Sequence, residues 1–174
     1  MVKANRSLFF TIPYSPLTIH CFMAIVTSIE DVKRIGEHGA EAYPNECCGF
    51  LLGREESGAR VIVEVAPLPN AWQTMENNPY EVRPEDSLRN RSLVDPKDYL
   101  RIDREAREKG LDIVSFYHSH PDHPARPSEF DRKHALPFFV YVILAVEKGI
   151  PREMTAWLLS RDFTQFLSEE ISIK

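Results

Sequence analysis

The sequence predicts an α/β fold, a three-layer sandwich around a mixed central β-sheet. Two apolar segments, residues 49–53 and 61–66, are separated by a short charged turn, which is typical of an antiparallel hairpin. Amphipathic segments then alternate with further apolar segments, and helical crossovers of this kind join parallel strands. A hydrophobic fraction of 43% in 174 residues suffices for one core, so we expect a single domain over residues 25–174.

The sequence predicts an extension followed by a helix in the N-terminal part of the chain. Residues 1–24 contain no uninterrupted apolar stretch of the length of a secretory signal, and we expect them to form a poorly ordered extension. Translation starting at Met23 is an alternative. A helix is predicted from Thr27 or Ser28 to about Ala42, where an acidic first turn accompanies apolar residues at helical spacing.

After the hairpin, residues 67–91 are predicted to form a long loop. Connections longer than about 12–15 residues are usually functional or disordered. Because Trp72, Met75 and Tyr80 interrupt its polar sequence, one hypothesis is that the loop helps to hold the extended tail of a substrate. In the equally favoured alternative, these side chains fold back onto the core.

The second half of the chain predicts one long helix and several strands. Asp95, followed by a proline, caps a helix that runs to about Lys109, and Gly110 is its C-terminal stop. A last strand or short mixed element is predicted over residues 163–173. Apolar and β-branched residues predict the strands between them, over residues 111–117, 139–146 and 154–159.

The most informative residues are two histidines at the end of the strand predicted over residues 111–117. His118 and His120 are two positions apart, and side chains at this spacing in a strand point to the same side. Ser119 is turned away from them. Two neutral imidazoles can therefore converge on one metal ion.

A helix predicted from Ser128 to about Ala135 adds a carboxylate to this pair. Ser128 and Asp131 are three positions apart, so both can lie on the helical face directed at the imidazoles. Two histidines and one aspartate are ligands that catalytic zinc uses, with a fourth position open to water. Ser-x-x-Asp is also an ordinary helix cap, and an isolated His-x-His is often structural, so metal binding is predicted from the combined pattern.

In these motifs the sequence resembles the JAMM/MPN+ metalloprotease family. The family pattern is an upstream Glu, then His-x-His, seven residues, Ser, two residues and Asp, and His118, His120, Ser128 and Asp131 match that spacing. Residues 45–53 resemble the family's Glu-x-Cys-Gly-x-Leu-x-Gly segment, in which Glu46 occupies the position of the catalytic glutamate. The resemblance extends from about residue 25 to about residue 166 and implies a cytidine-deaminase-like architecture.

The resemblance implies a zinc-dependent peptidase or isopeptidase with one zinc ion per chain. His118, His120 and Asp131 would hold the metal, Glu46 would act as general acid and base, and Ser128 would donate to the tetrahedral oxyanion. The implied substrate is the amide bond after the C-terminal Gly-Gly of a ubiquitin-fold protein. The short bacterial members with Glu-Cys-Cys-Gly are most similar, so a sulfur-carrier protein is preferred as substrate, with cysteine as a candidate released group.

Three other functions are weighed against this one. A non-catalytic MPN scaffold shares the fold, and a zinc amidohydrolase acting on another small peptide conjugate would use the same residues. A zinc nucleoside deaminase is disfavoured, because its His-x-Glu and Pro-Cys-x-x-Cys motifs are absent from the sequence.

Composition limits the partners and the expected location. A net charge of −5 disfavours nucleic acid and anionic membranes, and no apolar run is long enough to span a bilayer. The three cysteines, Cys21, Cys47 and Cys48, form an odd set with two adjacent members, which disfavours a disulfide framework and favours the cytoplasm. We expect Cys47 and Cys48 to be buried and unreactive. A homodimer is left open.

Overall fold

The computed structural model describes residues 24–137 and 139–174, which form three helices and eight strands. The extension predicted for residues 1–24 lies outside the described residues apart from Ala24, as does the alternative start at Met23. The helices are α1 (Ile29–Ala42), α2 (Pro96–Glu108) and α3 (Glu129–His134). The strands are β1 (Ile25–Thr27), β2 (Cys48–Glu56), β3 (Ala59–Leu68), β4 (Asp112–Pro121), β5 (Val140–Glu147), β6 (Ile150–Leu159), β7 (Phe166–Glu169) and β8 (Ile171–Ile173).

These strands form one mixed sheet in the order β7-β6-β5-β4-β2-β3-β1-β8. β2 and β3 form the predicted hairpin, and β2 also pairs antiparallel with β4. β4 and β5 are parallel, and the connection between them contains α3. The predicted combination of hairpins and helical crossovers is confirmed. β4 lies in the interior of the sheet, with paired strands on both sides.

The helices α1 and α2 cover opposite faces of this sheet. Successive side chains of β2 alternate between the faces, as the geometry of a strand requires. Leu51 packs with Ile35 of α1 in one buried cluster. Phe50 and Leu52 pack with Ile102 of α2 in another. The predicted three-layer arrangement is therefore confirmed.

The two edges of the sheet meet at one residue. The element predicted over residues 163–173 is two strands, of which β7 pairs with β6 at one edge and β8 pairs with β1 at the other. Only Glu170 separates them, and its carbonyl oxygen accepts a hydrogen bond of 2.8 Å from the Ile25 N–H. The sheet must therefore curve until its edges are adjacent. β1 was not predicted, because three residues are too few to give a periodic pattern.

A glycine allows close contact at the start of β2. A Cβ added to Gly49 would lie 2.5 Å from the Ala66 carbonyl oxygen and 2.5 Å from the Tyr117 ring. Any side chain at this position would displace one of them. Tyr117 is fully buried against this backbone, and its hydroxyl is 2.8 Å from Nδ1 of His38 in α1. This contact holds the start of β2 against β4, and with it the segment just before β2 that carries Glu46.

Candidate metal centre

The C-terminal half of β4 places both predicted histidines inside the protein. His118 is 1% exposed and His120 is 8% exposed. Their neighbour Ser119 is fully buried, and its hydroxyl accepts a hydrogen bond of 2.9 Å from the Cys47 N–H. The alternation predicted from the sequence is therefore present. The serine fastens β4 to the start of β2, while the two imidazoles converge.

The helix α3 brings Asp131 to the two imidazoles. Its Oδ1 lies 3.3 Å from Nε2 of His118, and its Oδ2 lies 3.7 Å from Nε2 of His120. The two Nε2 atoms are 3.0 Å apart. The candidate ligand atoms of these three residues all lie within 4.8 Å of one another. The structure thus gathers the three residues that the sequence predicted as ligands.

This donor set fits a small divalent cation. Tetrahedral zinc with bonds of about 2.0–2.1 Å spaces its ligand atoms roughly 3.3 Å apart, close to the separations found here. Nδ1 of His120 is 3.0 Å from the Pro124 carbonyl oxygen, to which it donates as the Nδ1–H tautomer. That hydrogen bond leaves the Nε2 lone pair free to bind a metal, as backbone carbonyls hydrogen-bonded to the histidine ligands do in metal sites.

The electrostatic surroundings keep Asp131 ionised. Burial alone would raise the pKa of its carboxyl group, but the neighbouring His118 and hydrogen bonds from the two histidines and Ser128 hold this pKa far below its ordinary value. The pKa of His118 is raised, because the contact with Asp131 outweighs burial, which lowers it. The Asp131 carboxyl group is therefore ionised at neutral pH, the form in which a carboxylate binds a metal ion.

For Ser128 and Asp131 the sequence left two interpretations open, a helix cap and a part of the metal site. Ser128 is the N-cap of α3, and its hydroxyl accepts a hydrogen bond of 3.1 Å from the Asp131 N–H. The Ser128 N–H and hydroxyl both donate to Asp131 Oδ2 at 2.6 Å. The capping box is therefore present, and it orients the carboxylate that faces the imidazoles. Asp131 is thus both a capping residue of α3 and a candidate metal ligand.

Glu46 lies two residues before β2 and is only 6% exposed. Burial raises the pKa of its carboxyl group, while His118 and His120 lower it and Asp131 raises it further. The nearby Ser92 side chain also lowers the pKa of this carboxyl group. A buried carboxyl group that interacts with the candidate metal ligands has the surroundings of a general acid or base.

A mostly apolar cavity of about 530 Å³ opens beside Glu46, His118 and Asp131. The polar residues lie at one side, and most of the remaining wall consists of aromatic and aliphatic side chains. α2 supplies Tyr99 and Leu100, which are 38% and 61% exposed. The other apolar wall residues include Phe50, Tyr80, Leu93, Val94, Phe116, Phe130, Leu136, Phe139 and Tyr141. The cavity is suited to an apolar part of a ligand whose reacting group lies at the polar side.

The long loop reaches this cavity, although not through its tryptophan. Trp72 is 4% exposed and packs behind the wall, stacked on Tyr80 with ring centroids 6.1 Å apart. The Trp72 ring also lies nearly perpendicular to that of Phe130 in α3, with ring centroids 5.6 Å apart. The alternative in which the aromatic side chains fold back onto the core therefore holds for Trp72, while Tyr80 lines the cavity.

Two residues of the loop region were missed by the sequence analysis. Ser92 contacts the Glu46 carboxyl group, and Asn70 hydrogen-bonds to the Glu46 backbone carbonyl. Neither residue lies in a periodic segment or at a fixed spacing from Glu46. Only the folding of the loop across the site brings them there.

The cysteines beside the site match the expectation for buried thiols. Cys47 and Cys48 are 1% and 0% exposed and are not disulfide-bonded. Burial raises the pKa of Cys47 to about 11 and that of Cys48 further. A thiol with a raised pKa is a poor nucleophile. Cys21 lies outside the described residues.

None of the helices in the described part of the chain combines the length and apolar character that crossing a membrane requires.

The chain was compared with known protein families. Residues 29–160 match the family described as prokaryotic homologs of the JAB domain. The matched region contains Glu46, His118, His120, Ser128 and Asp131.

Two curated relatives share part of the sequence. A protein named "Desampylase" from Pyrococcus furiosus is 30% identical over 115 residues, which cover 66% of this chain and 67% of the relative. A protein named "Probable TtuB-protein conjugate cleaving protease" from Thermus thermophilus is 34% identical over 104 residues, which cover 60% of this chain and 58% of the relative. The match therefore spans about three fifths to two thirds of each relative.

Two solved structures share the fold over most of the chain. A protein from Desulfitobacterium hafniense superposes with a TM-score of 0.70 at 28% identity, covering 86% of this chain and 92% of that one. A protein from Salinibacter ruber gives a TM-score of 0.63 at 39% identity, covering 85% of this chain and 90% of that one.

Proposed function

Because this chain belongs to the family of prokaryotic homologs of the JAB domain, we propose that it is a zinc metallopeptidase acting on conjugates of a ubiquitin-like protein. The bond cleaved is the amide after the C-terminal Gly-Gly of a small carrier. The convergence of His118, His120 and Asp131 at a cavity that also contains Glu46 carries the proposal. Residues 25–174 form the single catalytic domain.

His118, His120 and Asp131 are the proposed ligands of one zinc ion per chain. Two imidazoles and one carboxylate are a ligand set of catalytic zinc, whereas closed structural sites favour cysteine. When bound, zinc lowers the pKa of water to about 7 and polarises a carbonyl group. The hydrogen bond that His120 donates to the Pro124 carbonyl oxygen, and the one that the Ser128 hydroxyl donates to Asp131, orient two of the three ligands before any metal arrives.

Glu46 is the proposed proton shuttle. Its carboxylate would accept a proton from the attacking water and give it to the nitrogen of the leaving amine. Burial raises its pKa towards the working pH, where a group can both take and release a proton. The exclusion of water around this buried side chain strengthens its interactions with the reacting groups.

The names of the relatives support a protein conjugate as substrate, since one is called a desampylase and the other a protease that cleaves TtuB–protein conjugates. A sulfur carrier is the preferred small protein, and cysteine is one leaving group to test. The buried free thiols Cys47 and Cys48 support a cytoplasmic location.

Zinc content and cleavage test this function together. Zinc is measured by elemental mass spectrometry on protein purified without chelator, beside a His118→Ala/His120→Ala double variant. Cleavage is measured on TtuB joined through its C-terminus to a fluorescent amine. We expect one zinc ion per wild-type chain, none in the variant, and release of the amine by the wild type alone.

Other outcomes of this test favour the alternative functions. Zinc without cleavage would favour an amidohydrolase that acts on another small peptide conjugate. Failure to bind zinc even after resupply would favour a non-catalytic scaffold.

Ser128→Ala is expected to lower kcat by about 10²- to 10³-fold with zinc retained, because the hydroxyl that donates to Asp131 Oδ2 is proposed to turn to the oxyanion and is lost in this variant. It should also cost about 0.5–2 kcal/mol of stability through the lost cap. Ser28→Ala is a matched control, since Ser28 and Asp31 form the same capping box on α1, away from the site. Similar decreases in melting temperature in the two variants, with a loss of kcat only in Ser128→Ala, would support Ser128 as the oxyanion donor. Equal kcat values in both variants would contradict it.

Leu100→Glu is expected to raise KM about 10-fold or more, with little change in zinc content. Leu100 lines the cavity with an exposed side chain, and burying a leucine is worth about 1.5–3 kcal/mol. Ile150→Glu changes an apolar residue that is 51% exposed and is not among the residues lining the cavity, and it serves as the control. An unchanged KM for Leu100→Glu would exclude the cavity as the substrate site.

A further inference from the structure

The side-chain amide of Asn70 joins several segments of backbone beside the site. Its Nδ2 donates hydrogen bonds to the carbonyl oxygens of Glu46, at 3.2 Å, and Arg91, at 2.8 Å. Its Oδ1 accepts hydrogen bonds from the N–H groups of Trp72, at 3.0 Å, and Leu93, at 3.2 Å. Both amide hydrogens and both lone pairs are used, which is the full capacity of an asparagine side chain.

The backbone of Glu46 depends on the loop because it lies outside the sheet. β2 begins at Cys48, so no strand pairing holds the N–H and C=O groups of Glu46. The N–H donates to the Leu88 carbonyl oxygen at 2.7 Å, and the C=O accepts from Asn70. Both partners belong to the connection between β3 and α2.

The same connection also contacts the Glu46 carboxyl group. Asn70 binds the residues on either side of Ser92, and the Leu93 carbonyl oxygen accepts a further hydrogen bond of 2.8 Å from the Ala71 N–H. Ser92 is thereby held at the cavity wall that it shares with Glu46, close enough for its side chain to lower the pKa of the Glu46 carboxyl group. One asparagine thus holds the Glu46 backbone and the segment that brings Ser92 beside the Glu46 carboxyl group.

We propose that Asn70 is a positioning residue that sets the Glu46 carboxyl group relative to His118, His120 and Asp131. It acts by joining the Glu46 carbonyl to the segment that carries Ser92. The inference rests on the proposed function of Glu46 as proton shuttle. We refer to the four hydrogen bonds of the Asn70 side chain as the Asn70 clamp. Because a displacement of about 1 Å at a catalytic group can cost roughly 100-fold in rate, loss of this clamp has a measurable effect on kcat.

Asn70→Asp tests the clamp. Aspartate keeps the acceptor for Trp72 and Leu93 but turns a carboxylate oxygen towards two carbonyl oxygens where the amide donated. We expect kcat on the TtuB–amine probe to fall at least about 10-fold, with KM changed less than about 2-fold and zinc still at one per chain. The exchange of the Glu46 amide hydrogen should accelerate, because the segment that holds it is loosened.

Asn78→Asp is the matched control. Asn78 lies in the same loop and uses its amide in the same way, accepting from the Tyr80 N–H at 3.0 Å and donating to the Trp72 carbonyl oxygen at 3.4 Å. It does not hydrogen-bond to Glu46. The control should therefore leave both kcat and exchange at Glu46 close to wild type. Equal changes in kcat and in Glu46 amide exchange in the two variants would mean that Asn70 has no specific effect on Glu46 and would overturn the inference.

The exchange measurement separates this inference from the proposed function. If the wild type does not cleave the probe, accelerated exchange at Glu46 in Asn70→Asp alone still supports the clamp, and unchanged exchange overturns it. If Asn70→Asp does not fold, Ser92→Ala removes only the side-chain contact to Glu46. A lower kcat at constant zinc content would then support positioning through Ser92, and wild-type kcat would refute it.

Discussion

Glu46→Gln is expected to reduce hydrolysis by about 10²- to 10⁴-fold while the protein keeps one zinc ion per chain. Glutamine has nearly the same shape as the buried glutamic acid but cannot take a proton from water and return it to an amine, and general acid–base groups typically contribute a factor of this size. The three proposed metal ligands are unchanged by this substitution. The measurement is kcat on the TtuB–amine probe together with zinc per chain by elemental mass spectrometry.

The control for this substitution is Glu41→Gln, which removes an exposed carboxylate near the end of α1. This control should leave kcat and zinc per chain at wild-type values. Turnover retained in Glu46→Gln would remove Glu46 from the mechanism. Loss of zinc together with turnover would instead mean that Glu46 helps to hold the metal.

Asp131→Asn is expected to reduce zinc affinity more strongly than the roughly 10- to 100-fold that changes in hydrogen-bonded neighbours of metal ligands produce. The substitution replaces an ionised oxygen with a neutral amide, although the residue can still accept a cap hydrogen bond from the Ser128 N–H. Hydrolysis should fall in proportion to the zinc lost. Zinc affinity is measured by competition with a chelator of known strength.

The control for Asp131 is Asp31→Asn in the equivalent capping box of α1. It changes the same capping interaction away from the imidazoles and should alter the melting temperature alone. If Asp131→Asn bound zinc as tightly as Asp31→Asn, the aspartate would be a helix cap and not a ligand. The pair of variants therefore separates the capping function of Asp131 from its proposed function as a metal ligand.

Local periodicity accounts for the parts of the site that could be predicted. His118 and His120 are two positions apart in one strand, and Ser128 and Asp131 are three apart at the start of one helix. The relative directions of such side chains follow from the geometry of a strand or a helix. The capping box on α3 and the burial of Cys47 and Cys48 were predictable for the same reason, because they depend on neighbouring residues.

Contacts made by irregular segments could not be predicted in this way. Asn70 and Ser92 reach Glu46 because the connection between β3 and α2 folds across the start of β2. Trp72 became part of the support behind the cavity wall. β1 exists as a strand because β3 and β8 offer backbone partners on both sides. None of these contacts has a periodic signal in the sequence.

The sequence by itself determined most of the elements and their order, apart from β1 and the division of the last element into β7 and β8, and it determined the donor atoms available at the end of β4 and the start of α3. The tertiary structure decided that these donors meet within 4.8 Å, that a buried Glu46 faces them, and that the two edges of the sheet meet at Glu170. The physical reason is the range of the interactions. Helices, strands and caps are set by residues a few positions apart, whereas a site assembled from distant segments depends on how the whole core packs.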